Sequence, residues 1–586
     1  MSFTPQSRLS DALADPAAAT ILREVVPGLA DSPLVHQLGW VDLASAVGMF
    51  PTLGGDDDAM AAMWERLAVL EAGAPPERRH GPAIAPDPAY EGADVPRGSA
   101  GVRAVAPVRP WQVAEVVLDG PRHGNPFVDV DLVADVEGPD GVRVVGGFYD
   151  GDGVYRLRVL PGGPGEWTVR TRSTARSLDG LVARVVCAGE PAGHGPVRVA
   201  DTFHFAHADG TRHLPIGTTA YAWTHQPPAL QQRTLTTLAT APFTKMRLCV
   251  LPKAYLFNVA DPELFPFVRD ADGAWDVSRF DPVFFRVLEE RIADLAALGI
   301  EADVILFHPY DRWGFADLGP AVDERYVRYV VRRLAASANV WWSLANEYDL
   351  VRTKAVDDWE RIAEVVVEED PVGHLLSIHQ CFGFYDHTRP WVTHASVQRV
   401  DVYRTAEEVD GWRERWGKPV VVDECGYEGD LDQGWGNLTG QEMVRRFWEG
   451  AVRGGYVGHG ETYVNDAEEL WWSKGGELVG SSPARIAFLR EVLDAVPGGV
   501  LDPAPSDWDV PWAVSRDGST HVLYLGGSQP RYRSIVLPTG RDVVIDVIDT
   551  WLMTVERVPG THRGFVRVDL PGRPFMALRL RSAPTV

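Results

Sequence analysis

Two apolar runs in this chain each end in a glutamate. The first, Asn339-Val-Trp-Trp-Ser-Leu-Ala-Asn-Glu-Tyr348, stays aromatic and apolar until it stops at Asn346-Glu347. The second, Lys418-Pro-Val-Val-Val-Asp-Glu-Cys-Gly426, comes about seventy-five residues later and ends in Glu424. Each reads as a buried strand that delivers a carboxylate to its C-terminal end. Two carboxylates so delivered suit the cleavage of a glycosidic bond. One protonates the leaving oxygen, and the other attacks the anomeric carbon to form an ester that water then hydrolyses. Glu347 is assigned as acid/base and Glu424 as nucleophile. Asn346 is placed to hydrogen-bond the hydroxyl beside the anomeric carbon, a contact that strengthens as charge develops. Arg247, in the run Phe243-Thr-Lys-Met-Arg-Leu-Cys-Val-Leu and expected at the end of the second strand, would hold Glu424 ionised and oriented. Asp423, next to Glu424, is expected on the opposite side of its strand and is read as structural.

Such residues need parallel strands that share one end. From about residue 200 the sequence alternates strand, loop and helix. Strand-like runs begin near 214, 243, 302, 340, 375, 391, 418 and 455, with helical patterns between several of them, such as 284–298 and 323–337. Eight such units predict a (β/α)8 TIM barrel over 199–498, with the catalytic face at the C-terminal ends of its strands. The flanks read differently. Residues 1–73 form a small helical module, clearest over 58–71, and 74–100 a Pro-rich linker. Residues 101–198 and 499–586 show short strands of period two separated by Gly and Pro, the pattern of two accessory β-sandwiches. The predicted fold is thus multidomain α/β. The helical module is read as a packing appendage, with homo-oligomerisation through the accessory domains as the alternative.

The set Arg247, Asn346-Glu347 and Glu424, at the ends of strands two, four and seven, resembles the retaining glycoside hydrolases of clan A. The flanks add to it. Asn125-Pro-Phe, Gly147-Phe-Tyr-Asp-Gly and Pro164-Gly-Glu-Trp167 look like the N-terminal sandwich ahead of cellulase-like barrels, and Asp546-Val-Ile-Asp-Thr-Trp-Leu-Met553 looks like their C-terminal sandwich. The resemblance covers about half the chain. It implies retaining hydrolysis and an aromatic stacked under the sugar after strand eight, a place offered by Trp471 and Trp472. Many clan members carry a His-x-Tyr after strand six whose Tyr touches the nucleophile. Here that strand gives His394-Ala-Ser-Val-Gln, so Tyr427 or His394 takes the place.

Position alone marks further candidates for sugar contact. These are His308 after strand three, His379 and Gln380 after strand five and Glu461 after strand eight, with Trp223 and Trp313 less well placed. The stretch His204-Phe-Ala-His-Ala-Asp-Gly-Thr-Arg-His213 has metal-ligating residues, but its Asp209-Gly turn reads as a hairpin closing the barrel bottom, and no metal or other cofactor is expected.

The chain has 586 residues and a formal charge of −25, which argues against nucleic acid and anionic membrane as partners and fits a neutral substrate, here expected to be a carbohydrate from the site residues. Its four cysteines, Cys187, Cys249, Cys381 and Cys425, form no CxxC pair. No secretory signal and no apolar span are visible, so a cytoplasmic location is expected, with exo action on short oligosaccharides or glycosides. Two other readings share these residues: a transglycosidase, and a carbohydrate-binding barrel without catalysis.

Overall fold

The computed structural model describes residues 84–583 except 140, 256, 399–404, 505–509 and 539; before residue 84 it describes 3–5, 7, 9–26, 29, 42–48 and 57–70. At its centre are eight parallel strands: β1 (Gly217–Thr219), β2 (Lys245–Cys249), β3 (Glu301–Phe307), β4 (Val340–Ala345), β5 (Leu376–Ser377), β6 (Ala395–Gln398), β7 (Val420–Glu424) and β8 (Tyr456–His459). Their order across the sheet is β5-β4-β3-β2-β1-β8-β7-β6. A parallel bridge between His379 and Ser396 joins β5 to β6 and closes the ring. β2, β3, β4 and β7 are buried along their whole length. β4 and β7 therefore read as near-continuous apolar runs, whereas β2 and β3 bury the charged residues Lys245, Arg247, Glu301 and Asp303.

Among the described residues seven helices of eight residues or more cover the barrel: 228–238, 282–297, 320–334, 356–369, 409–416, 440–451 and 482–494. Among the described residues β5 and β6 are joined without an α-helix. Pro opens several of the helices at a position where its missing N–H costs nothing, and Asp281 caps one by accepting from Val283 N–H. Below the barrel lies a three-stranded antiparallel sheet (197–200, 204–207, 212–213). Its Phe205 packs on Trp341 and Tyr456, so the expected hairpin does close the barrel bottom.

Ahead of the barrel stands a seven-stranded antiparallel sheet. Its long strand 141–149 pairs first with 132–138 and then, from Gly147 on, with 154–159. After the barrel come a six-stranded antiparallel sheet and a separate antiparallel pair, 532–536 with 565–569. The N-terminal helices, Leu9–Ala14, Pro16–Val25, Leu43–Gly48 and Asp57–Ala68, share a small apolar core.

The expected linker needs correction where it is described; residues 74–83 lie outside the described residues. Tyr90 is buried, stacks on His123 and donates its hydroxyl to His123 O at 2.8 Å. Glu91 accepts from Ser177 N–H and Oγ–H, each at 2.7 Å. This stretch is therefore bound to the N-terminal sheet. Proline density forbids regular structure, but it does not prevent docking through the side chains between the prolines.

Candidate active site

Glu347 follows directly after β4, with φ 52° and ψ 57°. A left-handed conformation at a residue with a Cβ costs about 1–3 kcal/mol and is typical of functional positions. It takes the chain out of the strand into a 3-10 turn, where Tyr348 N–H donates to His379 O at 2.9 Å. The Glu347 carboxylate accepts the Tyr310 hydroxyl at 2.5 Å on Oε2 and the Gln398 amide at 3.1 Å on Oε1.

Glu424 ends β7. Its Oε2 accepts from the Tyr427 hydroxyl at 2.5 Å, and its Oε1 from the Tyr221 hydroxyl. Arg247 Nη1 reaches Oε1 at 3.4 Å, and His379 Nε2 lies 3.7 Å from the same oxygen. Asn346 Oδ1 accepts from the Tyr221 hydroxyl at 2.9 Å, so one phenol joins the amide to the second carboxylate. The two glutamates are 5 % and 6 % exposed.

The environments differ in kind. Burial raises the Glu347 pKa, the Glu424 charge adds to the rise, and the carboxyl is pushed up to about 7. Tyr310, Lys253 and Gln398 oppose the rise. Lys253 belongs to the loop after β2. Its ammonium lies 3.7 Å from the Tyr221 ring centre and 4.4 Å from that of Tyr310, between the two phenols that hold the two carboxylates. Tyr255 and Trp472 complete the aromatic surround. Burial lowers the Lys253 pKa.

Below this layer lies a buried ionic network. Lys245 Nζ bridges Asp303 at 2.5 Å and Asp423 at 2.7 Å, and Ser396 Oγ–H donates to the other Asp423 oxygen at 2.5 Å. Lys245 and Arg247 are two residues apart on one strand and so share a face. They contact Asp423 and Glu424, which are consecutive. Asp423 therefore does not point away from Glu424, as alternation predicts. The register slips here: Val397 pairs with Val422, but Gln398 pairs with Glu424, leaving Asp423 as the extra residue of a bulge.

Of the other sequence candidates, Tyr427, His379, Asn346, Arg247 and Trp472 meet around the carboxylates. Trp472 packs against Tyr221, Tyr255, Tyr427 and Trp435. Three expectations are corrected. Trp471 turns into the barrel core, where its Nε1–H donates to Thr218 Oγ1 at 2.8 Å. His308 is fully buried and lies 3.0 Å, through Nε2, from Leu251 O, which fixes it under the site; burial pushes its pKa down to about 3. His394 packs on Phe205 and Trp341 at the barrel bottom and does not take the tyrosine's place. Trp223 donates to Gln231 O, and Trp313 to Asp261. Gln380 donates to Gln398 O, and Glu461 accepts Val479 and Gly480 N–H, anchoring the approach to helix 482–494. Tyr221, Tyr310, Lys253 and Gln398 carry no motif that marks them in the sequence. The available signal was position: each lies at or just past the C-terminal end of a barrel strand.

A closed parallel barrel with two buried glutamates at the C-terminal ends of its strands is an arrangement suited to cleaving a glycosidic bond. Comparison with known proteins agrees. The profile "Apiosidase-like, catalytic domain" matches residues 200–483. "Domain of unknown function (DUF5060)" matches 107–174 and "Domain of unknown function (DUF5605)" matches 508–581. A solved structure from Bacteroides vulgatus ATCC 8482, described as a "putative glycoside hydrolase", is 37 % identical, with 81 % of this chain and 100 % of that one covered and a TM-score of 0.76. A glycoside hydrolase family 5 structure from the same organism is 15 % identical over 66 % of this chain and 94 % of that one, at TM-score 0.52, a likeness of fold. No curated protein matches. The chain belongs to the glycoside hydrolase family of the 37 %-identical Bacteroides protein, and its barrel is similar to the Apiosidase-like catalytic domain. No helix among the described residues is long and apolar enough to cross a membrane.

Proposed function

We propose that this glycosidase works with retention of configuration, with Glu347 as acid/base and Glu424 as nucleophile. The observation that carries the reading is the contrast between the two carboxyls. Glu347 is pushed up to about 7, into the range of a proton donor at neutral pH. Glu424 is oriented by two phenol hydroxyls and faces the Arg247 guanidinium. In the first step Glu347 protonates the leaving oxygen as Glu424 attacks, forming a glycosyl ester. In the second, Glu347 takes a proton from water, which displaces Glu424. Retention requires carboxyl groups about 5–5.5 Å apart. Asn346, fixed by Tyr221, is assigned to the hydroxyl beside the anomeric carbon. Deep burial and an aromatic wall of Trp472, Tyr255 and Trp435 support short glycosides taken end on. The family description makes apiosides the first substrates to try. We read the flanking antiparallel sheets as the accessory sandwiches.

Azide separates the roles. Glu424→Gly opens space beside the anomeric carbon, so azide should restore turnover of an activated glycoside and give an inverted glycosyl azide. Glu347→Ala should lose roughly 10²–10⁴-fold on poor leaving groups and give a glycosyl azide of retained configuration. Exchange of the two stereochemical outcomes would reverse the assignment. Full activity in both variants would place the chemistry elsewhere.

A further inference from the structure

The barrel bottom carries a second cluster that glycoside cleavage does not use. In its hairpin His213 pairs with Phe205 and Arg212 with Ala206. Alternation then puts Phe205, His207 and His213 on one face and His204 on the other. His204 is fully engaged, with Nδ1 2.8 Å from the Tyr456 hydroxyl and Nε2 3.0 Å from Asp502. His207 and His213 are diagonal neighbours with ring centres 5.1 Å apart. With them lies Glu301, the first residue of β3. One ligand atom from each of the three lies within 4.8 Å of the other two.

Each residue is held as a ligand would be. His207 Nδ1 is 2.9 Å from Gly195 O, a contact that requires a proton on Nδ1 and leaves a lone pair on Nε2. Trp341 Nε1–H donates to Glu301 Oε2 at 3.0 Å, which leaves Oε1 free. His213 is 6 % exposed, and its Nε2 has no hydrogen-bond partner. Glu301 is also buried, and its register neighbour Lys245 is turned to Asp303 and Asp423 instead. A buried ring nitrogen without a hydrogen-bond partner is unfavourable, and so is ionising a buried carboxyl without a cation beside it. One cation between them removes both costs.

We propose that His207, His213 and Glu301 bind a single divalent transition-metal ion of the zinc class. Two imidazoles and one carboxylate suit such an ion, whereas Mg²⁺ and Ca²⁺ favour all-oxygen sites. His207 is only partly buried, so water can fill the fourth position and the ion can enter from solvent. Glu301 starts its strand while Glu347 and Glu424 end theirs, so the ion sits at the opposite face from the carboxylates. Its role is structural: it ties the closing sheet to the barrel. The hairpin reading of the sequence stands, with the metal added to it.

The test uses the tag-free full chain, stripped with chelator and titrated with Zn²⁺ or Co²⁺. One equivalent should bind per chain, Co²⁺ should give the visible absorption of a low-coordinate site, and Zn²⁺ should raise the melting temperature by several degrees. His207→Ala, at a partly exposed position, and the isosteric Glu301→Gln should each weaken binding at least tenfold and abolish the thermal gain. Glycosidase activity of the stripped wild type should persist. No binding by wild type, or equal binding by wild type and both variants, overturns the proposal. So does binding without a melting shift.

Discussion

Burial and the charge of Glu424 both penalise an ionised Glu347, while the Tyr310 hydroxyl and the Lys253 ammonium favour it. The alkaline limb of kcat/KM should therefore fall near pH 7. Removing either favourable partner removes support for the charged form, so the pKa must rise. Tyr310→Phe and Lys253→Met should each move the limb to higher pH in a pH–rate profile; movement to lower pH would contradict this account of the site. The same shift has a stability sign. A carboxyl with a raised folded pKa contributes stability that is fully present below its unfolded value, 4.5, and is lost as pH rises through about 7. The chain should thus be more stable at pH 5 than at pH 8 from this group, and Glu347→Gln should flatten that slope in urea titrations at the two pH values.

The strands place these residues, and they were also the part most legible in the sequence. Full burial makes a barrel strand a continuous apolar run, so a polar residue that ends one stands out. Asn346, Glu347 and Glu424 stand out that way; Arg247, in the middle of its strand, is legible only as a charge inside an otherwise strand-like segment. Tyr221, Tyr310 and Lys253 sit two to four residues beyond their strands, where no periodicity exists and only the folded barrel brings them together. Which of Trp471 and Trp472 faces the site is set by the phase of the short helix Trp471–Lys474, and two adjacent tryptophans carry no trace of it. Asp423 was misplaced because alternation assumes an unbroken ladder, and the slip against Gln398 depends on the partner strand. The network that results is sensitive. Lys245→Met would leave Asp303 and Asp423 buried without their shared cation, and removing one partner of a buried ion pair typically costs about 3–5 kcal/mol. Chemical denaturation should show a loss of that order; a loss within experimental error would mean the two acids hold a proton instead.

At the scale of the molecule, side chains tie the barrel to its neighbours. Arg333, from a barrel helix, donates to Asp150 of the N-terminal unit at 2.9 Å and to Glu289 at 2.5 Å, and Arg158 donates to Arg333 O at 2.6 Å. Tyr329 stacks on Phe280 and donates to Tyr149 O. On the other side Asp502 accepts from Arg413 and contacts His204, and Trp448 stacks on Tyr524. Sheet and barrel should therefore unfold as one unit. Asp150→Ala should separate their transitions in calorimetry, while a single unshifted transition would show that the apolar contacts suffice. The barrel is fastened unevenly. Among the described residues β5 and β6 meet in one bridge, His379 with Ser396, supported by Thr393 N–H on Leu376 O. A hoop parts at its clasp, and this clasp is also part of the site: His379 faces Glu424, and Gln398, two residues past Ser396, holds Glu347. Heat should accordingly silence the enzyme before it melts it. Activity should disappear several degrees below the calorimetric midpoint with the circular dichroism still native, and deuterium should enter 376–380 and 395–398 ahead of the other barrel strands.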